Sequence, residues 1–210
     1  MNKTYFISAT GTELGKTWLT AGLFNACRDQ GRPVRAIKPV MSGYDPARHE
    51  DSDVAKLGAG RTAWSYRAPL SPDLAAAKEG KSIDFAALIA WCRDQMARTE
   101  GLLLIEGIGG VMVPLTSRHT VRDWIAALDV PLLLVCGTYL GALSHTLTAL
   151  AALRELNIRP AHLILNESFG SSVSIEDTLA SLTPHAGGLP IVVLRRDDSS
   201  GLKRLADLLL

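Results

Sequence analysis

The sequence has few aromatic residues, few cysteines and almost no net charge. Aromatic residues make up 6% of the 210 residues, so aliphatic side chains must build most of the core. The formal net charge at pH 7 is +1, which gives no sign of a nucleic-acid-binding surface. Cysteine occurs three times, at widely spaced positions without a C-x-x-C pair. We therefore expect reduced cysteines in the core rather than disulfides or a zinc site.

Long hydrophobic runs are also missing. The longest apolar runs, such as residues 131–136, are far shorter than the roughly 20 residues that a membrane span needs. The first four residues are polar and lead into an apolar run without a basic region or a small-residue cleavage site. We expect a soluble, cytoplasmic protein with no membrane segment and no secretory signal.

The sequence does contain a regular alternation of short apolar runs with longer amphipathic stretches. It predicts strands at residues 5–8, 34–37, 102–105, 132–135, 162–165 and 191–194, and helices at residues 16–30, 85–98, 121–128, 142–156, 175–182 and 202–209. Thr120 with Asp123 and Ser174 with Asp177 have the spacing of capping boxes at two of these helix starts. The alternation predicts one α/β domain over residues 1–210, with a mostly parallel sheet flanked by helices on both faces.

A glycine-rich segment follows the first predicted strand. Residues 9–17 read ATGTELGKT and lead into an amphipathic helix, which indicates a phosphate-binding loop of the P-loop NTPase type, although Thr10 stands where the strict pattern has glycine. Backbone N–H groups and the helix start would donate to phosphate oxygens. Lys16 would reach the outer phosphates, and the Thr17 hydroxyl would ligate Mg²⁺. The guanine signature N-K-x-D does not occur, so we expect adenine as the base.

Two further strand ends carry charged residues. Lys38 precedes Pro39, which keeps the lysine on extended backbone at the same sheet edge as the loop. Glu106 follows the third strand beside a glycine-rich turn and resembles the acid that holds Mg²⁺ opposite a phosphate loop. Together with Thr17 and Asp53, it would give Mg²⁺ three oxygen ligands. Taken alone, Asp53 is most typical of a helix cap, and Lys38 is compatible with a solvated strand end.

These elements in this order resemble the ATP-dependent dethiobiotin synthetase family. The resemblance is carried by residues 12–17 (TELGKT), 38–43 (KPVMSG), 53 (Asp53), 71–76 (SPDLAA) and 106–110 (EGIGG), with residues 140–145 (LGALSH) and Asn166 similar to the family's later segments. The Lys-Pro-Val-x-Ser-Gly and Glu-Gly-x-Gly-Gly elements are more specific than the phosphate loop. The sequence departs from the family pattern at Ala9, Gly11, Asp73, Ser144 and residues 195–198 (RRDD).

The resemblance implies a reaction in biotin biosynthesis. The enzyme would join CO₂ to 7,8-diaminononanoate and close the cyclic urea of dethiobiotin, with ATP converted to ADP and phosphate. One amine would capture CO₂ as a carbamate, the γ-phosphoryl group would move to the carbamate oxygen, and the second amine would attack the mixed anhydride. ATP, CO₂ and the diamino carboxylic acid would be the ligands, Mg²⁺ the cofactor, and a homodimer the assembly.

The resemblance also implies roles for individual residues. Lys38, Lys16 and Thr12 would be catalytic, with Lys16 on the β and γ phosphates and Lys38 between the γ phosphate and the carbamate. The nucleotide would be bound by Thr12, Glu13, Leu14, Gly15, Lys16, Thr17 and Asn166, the metal by Thr17, Asp53 and Glu106, and the substrate by Ser42, Gly141 and Ser144. Gly141 and Ser144 would come from the partner subunit, where the start of a helix offers N–H groups to the substrate carboxylate.

Two other classes of protein share parts of this pattern. A switch ATPase of the chromosome-partitioning type has a similar phosphate loop but usually carries an extra lysine early in it, where residues 9–12 here read ATGT. An amidoligase acting on cobyrinate-type substrates has similar phosphate and acid motifs but normally carries a glutaminase domain, for which 210 residues leave no room. From the sequence both remain alternatives to the synthetase.

Overall fold

A computed structural model describes residues 2–58, 61–196 and 198–210. The strands are β1 (Lys3–Ala9), β2 (Val34–Ile37), β3 (Val40–Met41), β4 (Trp64–Ser65), β5 (Leu102–Glu106), β6 (Leu132–Cys136), β7 (His162–Asn166) and β8 (Ile191–Leu194). The helices are α1 (Lys16–Asp29), α2 (Asp53–Lys56), α3 (Pro72–Lys78), α4 (Phe85–Ala97), α5 (Val121–Leu128), α6 (Ala142–Arg154), α7 (Ile175–Leu182) and α8 (Ser199–Leu209). Short 3-10 helices lie at Pro46–Asp51 and Thr183–His185. Within the described residues, no helix has the length and apolar character needed to cross a membrane.

Six strands form one parallel sheet in the order β2-β5-β1-β6-β7-β8. Strands β5 and β6 are buried at every position, as expected for strands that are covered on both faces. Helices α1 and α8 pack on one face of the sheet, and α3 to α7 pack on the other. The predicted parallel sheet with helices on both faces is confirmed.

The two faces have separate apolar cores. On one face Phe6 of β1 meets Trp124 of α5 edge to face, with ring centroids 4.9 Å apart. On the other face Leu19 and Leu23 of α1 pack with Leu205 of α8. These two cores hold β1 rigidly between helices, and β1 leads directly into the phosphate-binding loop.

The three cysteines are buried as free thiols at positions 27, 92 and 136. Burial raises the pKa of Cys92 and of Cys136 to about 12. A thiol with such a pKa stays protonated at neutral pH and is unreactive. The cysteines therefore act as small apolar side chains of the core.

Several helix and strand ends differ from the prediction. α8 begins at Ser199 rather than at residue 202, because the Asp198 carboxylate accepts the backbone N–H of Ser200 at 3.0 Å and starts the helix within a polar stretch. β1 begins at Lys3 because its ladder with β5 extends to Leu102. α1, α4 and α6 each end one or two residues before their predicted ends.

The segment between β2 and α4 contains the short helix expected near Asp53, together with two strands and a helix, α3, that the sequence pattern did not indicate. β3 and β4 form a small parallel sheet, and α2 and α3 lie in the same segment. Strands of two residues are too short to show an alternating pattern, so the sequence carries no periodic signal for them. This segment carries Asp53 to the Lys38 ammonium, next to the end of β2.

Candidate active site

The loop between β1 and α1 has the backbone conformation of a phosphate-binding site. Gly15 and Glu13 have left-handed backbone, with φ values of +93° and +60°. Gly15 is the N-cap of α1, and because glycine supplies no capping side chain, the first backbone N–H groups of the helix are left for a ligand. Lys16 is buried and donates to the Gly11 carbonyl at 3.3 Å. Burial lowers the pKa of Lys16 to about 8, although the nearby Glu106 opposes this shift.

Asn166, the last residue of β7, supports this loop from the neighbouring strand. Its side-chain Nδ2 donates to the Leu14 carbonyl at 2.9 Å. A Cβ atom added to Gly15 would lie only 2.4 Å from the same Nδ2. A side chain at position 15 would therefore displace Asn166 from the Leu14 carbonyl, and the two residues predicted to bind the nucleotide lie side by side.

A buried cluster of charged residues lies next to the loop. Glu106 ends β5 and is fully buried. Its Oε1 accepts the Thr17 hydroxyl at 2.7 Å and the Lys38 ammonium at 2.7 Å. The Lys38 ammonium also forms an ion pair with Asp53. The fold thus brings together four predicted site residues that come from β5, α1, α2 and the end of β2.

The second carboxylate oxygen of Glu106 is buried without a hydrogen-bond partner among the described residues. Buried carboxylate oxygens are normally satisfied, so such an oxygen indicates a place for a missing cation or donor. Two acid side chains, Glu106 and Asp53, face the single ammonium of Lys38. The cluster therefore holds one cation, the Lys38 ammonium, between two acids and leaves Glu106 Oε2 without a donor among the described residues.

The charges of this cluster stabilise one another. Burial alone would lower the pKa of Lys38, but the carboxylates of Glu106 and Asp53 outweigh burial and raise it. Burial would raise the pKa of Asp53, but the Lys38 ammonium outweighs burial and lowers it. Lys38 and Asp53 are therefore both charged at neutral pH.

Local structure explains how Asp53 and Lys38 reach the cluster. Ser52 caps α2 by accepting the backbone N–H of Ala55 at 3.3 Å, so the cap in this segment is Ser52 rather than Asp53. The Asp53 carboxylate is therefore not needed as the cap and forms the ion pair with Lys38. The backbone N–H of Lys38 donates to the Arg61 carbonyl at 3.0 Å, which anchors the lysine's main chain beside the sheet.

A cleft of about 1040 Å³ opens beside the phosphate-binding loop. It is lined by residues 10–15, Trp18, residues 110–114, Tyr139, His145, Thr148, Ala149, residues 166–169 and Arg196. At one end the Arg196 guanidinium lies 5.0 Å above the Phe169 ring. On another wall the Tyr139 hydroxyl forms a hydrogen bond of 2.6 Å with His145 Nδ1. The volume lies at the upper end of the range of small-molecule sites.

None of the three residues predicted to bind the substrate is among the described residues that line this cleft. Ser42 is half-buried just after β3. Gly141 is the N-cap of α6 with φ of +98°, and Ser144 is exposed in the first turn. Neither Gly141 nor Ser144 is among the described residues that line the cleft, whereas their neighbours Tyr139 and His145 are. Their role in a partner's site stays a prediction.

Comparison with known proteins gives a family for this site. A family model described as an AAA domain matches residues 3–192. The ATP-dependent dethiobiotin synthetase BioD of Acidiphilium cryptum is 43% identical over 199 residues, which cover 89% of each chain. The protein of the same name from Methylobacterium nodulans is 42% identical over 209 residues, covering 91% of this chain and 93% of its own. The chain belongs to the dethiobiotin synthetase family.

Solved structures with the same fold are more distant. MinD of Pyrococcus horikoshii, solved with Mg-ADP, has a TM-score of 0.57 and 17% identity, covering 97% of this chain and 86% of its own. The signal recognition particle receptor FtsY of Elizabethkingia anophelis has a TM-score of 0.56 and 12% identity, covering 98% of this chain and 64% of its own. These likenesses confirm a P-loop NTPase fold. Membership of the dethiobiotin synthetase family decides against both the switch ATPase and the amidoligase.

Several cleft residues of this family member were missed from the sequence. Trp18 is 43% exposed in the first turn of α1, and Phe169 is 85% exposed in the loop after β7. Exposed aromatic side chains leave no periodic signal, and only their position near strand ends could have indicated them. In the segment after β8, Arg195 pairs with Glu176 and Arg196 lines the cleft, while Asp197 lies outside the described residues.

Proposed function

We propose that this chain is a cytoplasmic dethiobiotin synthetase that joins CO₂ to 7,8-diaminononanoate and closes the urea ring, with ATP converted to ADP and phosphate. The observation that carries the proposal is the identity of 42% to 43% with proteins named dethiobiotin synthetase over about nine-tenths of the chain. The buried cluster beside the phosphate loop supplies the side chains that this chemistry requires. The cytoplasm is the compartment that provides ATP.

The reaction needs groups that stabilise negative charge rather than a covalent nucleophile. A carbamate and a triphosphate repel each other, and phosphoryl transfer spreads negative charge over the equatorial oxygens. Lys16 would hold the β and γ phosphates at the start of α1. Lys38 would bridge the γ phosphate and the carbamate. Thr12 and Glu13, which are exposed on the loop and line the cleft, would border the transfer site.

The cluster also fits Mg²⁺. Thr17, Asp53 and Glu106 offer hydroxyl and carboxylate oxygens, the ligands that Mg²⁺ prefers, and the unpartnered Glu106 Oε2 is consistent with a cation that is needed there. When bound, Mg²⁺ would neutralise charge on the phosphate oxygens. Thr17, Asp53 and Glu106 would hold it, with phosphate and water as the remaining ligands.

The far end of the substrate would be held by a second subunit. The substrate carboxylate is separated from the two amines by a long aliphatic chain, so it must be held well beyond the phosphate loop. The start of α6, with glycine as its N-cap, leaves N–H groups for a carboxylate. In a homodimer with twofold symmetry, Gly141 and Ser144 of each subunit would bind the substrate carboxylate in the active site of the other subunit.

Binding of the substrate carboxylate at Gly141 and Ser144 can be tested by adding a negative charge at position 144. Ser144→Asp should raise KM for the diamine by about tenfold or more through repulsion of the substrate carboxylate, with little change in KM for ATP. Ser144→Asn, which keeps a neutral polar side chain, is the control. Equal changes in the KM values for the diamine and for ATP in Ser144→Asp would argue against this carboxylate-binding site.

The reaction itself is tested by product mass. ADP release is measured with and without the diamine and bicarbonate, and the product is analysed by mass spectrometry. We expect ADP release to require the diamine, and the product to gain the mass of CO₂ less water. ATP turnover that is equally fast without the diamine, with no such product, would show that the proposal is wrong.

Lys38→Gln tests the role of the second lysine. We expect kcat to fall by about two orders of magnitude, because charge that develops in the transition state loses its partner, while ATP still binds. Lys78→Gln removes an exposed lysine from α3 and is the matched control. An unchanged kcat in Lys38→Gln would remove Lys38 from the catalytic residues.

A further inference from the structure

We propose that Lys38 occupies the cation position of the metal site in the nucleotide-free chain, so that metal binding must displace it before it can act on the substrate. This inference rests on the proposed function, which gives Lys38 its catalytic role and Thr17, Asp53 and Glu106 their role toward Mg²⁺. It adds a resting position for the lysine and a coupling between metal loading and its release.

The geometry shows the lysine bound to the same groups that would hold the metal. The Lys38 ammonium lies 2.7 Å from Glu106 Oε1 and forms an ion pair with Asp53. Glu106 Oε1 also accepts the Thr17 hydroxyl at 2.7 Å. An ammonium group that is held by carboxylate oxygens uses the same hard, anionic ligands as Mg²⁺. Each of the three expected metal-binding side chains therefore already makes a contact within the cluster, and the buried Glu106 Oε2 lacks a hydrogen-bond partner among the described residues.

The lysine and the metal cannot both use these oxygens. Mg²⁺ requires oxygens at about 2.0 to 2.1 Å in octahedral geometry, which the shared Glu106 Oε1 cannot offer while it accepts from both Lys38 and Thr17. For Thr17 to present its hydroxyl oxygen to a metal, its own hydrogen bond to Glu106 must rearrange. A metal bound only through Glu106 Oε2 would still face the Lys38 ammonium on the same buried carboxylate, where like charges repel strongly.

Displacement of Lys38 would move its side chain rather than its backbone. Its backbone is held by the hydrogen bond to the Arg61 carbonyl, so only the four-carbon side chain can swing. Before the metal binds, the carboxylates of Glu106 and Asp53 attract the Lys38 ammonium. When the metal and the nucleotide are bound, the phosphate oxygens would attract it instead. Lys38 would thus reach the substrate only when the metal and the nucleotide are in place.

Binding of Mn²⁺ to the nucleotide-free chain tests this exclusion directly. Mn²⁺ serves as a paramagnetic probe for the Mg²⁺ site, and its free concentration is measured by electron paramagnetic resonance. Mutually exclusive occupation predicts that Lys38→Met binds Mn²⁺ at least about tenfold more tightly than the wild type. Lys16→Met removes an equal charge from the same region, but Lys16 contacts the Gly11 carbonyl rather than the carboxylates, so its gain should be clearly smaller.

Several results would overturn the inference. They are unchanged Mn²⁺ affinity in Lys38→Met, an equal gain in Lys16→Met, or the absence of Mn²⁺ binding in every variant. None of them depends on product formation. A failure of the proposed function would appear instead as the absence of dethiobiotin from the wild-type enzyme with all substrates, so the two failures can be distinguished.

A measurement on the wild type covers the case in which Lys38→Met, with its buried Glu106 left unpaired, fails to fold. The chain is labelled with an amine-reactive ester in ADP with EDTA and in ADP with Mg²⁺, and each lysine is quantified by mass spectrometry. We expect Mg²⁺ to increase labelling of Lys38 about fivefold or more. The exposed Lys78 should label equally in both conditions. Labelling of Lys38 that Mg²⁺ leaves unchanged would overturn the inference.

Discussion

The contact between Gly15 and Asn166 can be tested by a double-mutant cycle on ATP binding. Gly15→Ala places a methyl group 2.4 Å from Asn166 Nδ2, in a backbone conformation with φ of +93°. This substitution should impair the loop in two separable ways. Alanine strains the left-handed backbone, and its Cβ pushes Asn166 away from the Leu14 carbonyl.

The two effects have different causes, and a second substitution at Asn166 removes only one of them. Left-handed backbone costs an alanine about 1–2 kcal/mol. The overlap is relieved when the flexible end of the Asn166 side chain moves, which costs its hydrogen bond to Leu14, worth about 1 kcal/mol. Asn166→Ala alone loses the same hydrogen bond, and it also removes the atom with which the new Cβ overlaps. The double variant should therefore keep the backbone cost and lose the hydrogen bond only once.

Calorimetric titration with ATP measures the cycle. We expect the double variant to bind ATP more tightly than the sum of the single effects predicts, by a coupling energy of about 1 kcal/mol. Gly31→Ala is the matched control, since Gly31 also has a positive φ, of +69°, but a Cβ there meets no described atom within 4 Å. Gly31→Ala with Asn166→Ala should be additive. Strict additivity for Gly15 and Asn166 would refute the contact as the reason for glycine at position 15.

Three other outcomes follow from the site. ATP affinity should fall as pH rises through about 8, because the pKa of Lys16 lies near 8 in the free chain and a neutral amine cannot offset phosphate charge; Lys16→Arg should flatten this profile, and a constant wild-type Kd from about pH 7 to 9 would contradict it. Glu106→Gln should raise the Mg²⁺ concentration for half-maximal product formation by about tenfold or more, and a wild-type titration would remove Glu106 from the ligand set. Light scattering should give twice the chain mass of 22.5 kDa, and Leu140→Asp, at a position 83% exposed beside α6, should lower it, whereas Leu208→Asp on α8 should not; a monomeric wild type would contradict the dimer.

The elements of the sheet and the phosphate-binding loop could be predicted from the sequence because their signals are local. An apolar run such as β5 or β6 reports burial on both faces without reference to any other part of the chain. The loop at Gly15, Lys16 and Thr17 depends on the turn from a strand into a helix, which is also local. The segment containing β3 and β4 could not be predicted, because two-residue strands owe their pairing to contacts across residues 40 to 65.

What the tertiary structure alone decided is how the charged groups meet. The sequence placed Lys38 and Glu106 at one edge of the sheet and Asp53 at the start of a short helix, but it could not show that the lysine holds both carboxylates. Glu106 lies 89 residues from Thr17 and 68 from Lys38 in the chain, and only the order of β2, β5 and β1 in the sheet makes them neighbours. Such a contact depends on strand order and side-chain direction, which no local pattern contains. The positions of Lys38 and Glu106 at strand ends, in contrast, follow from the local sequence around each of them.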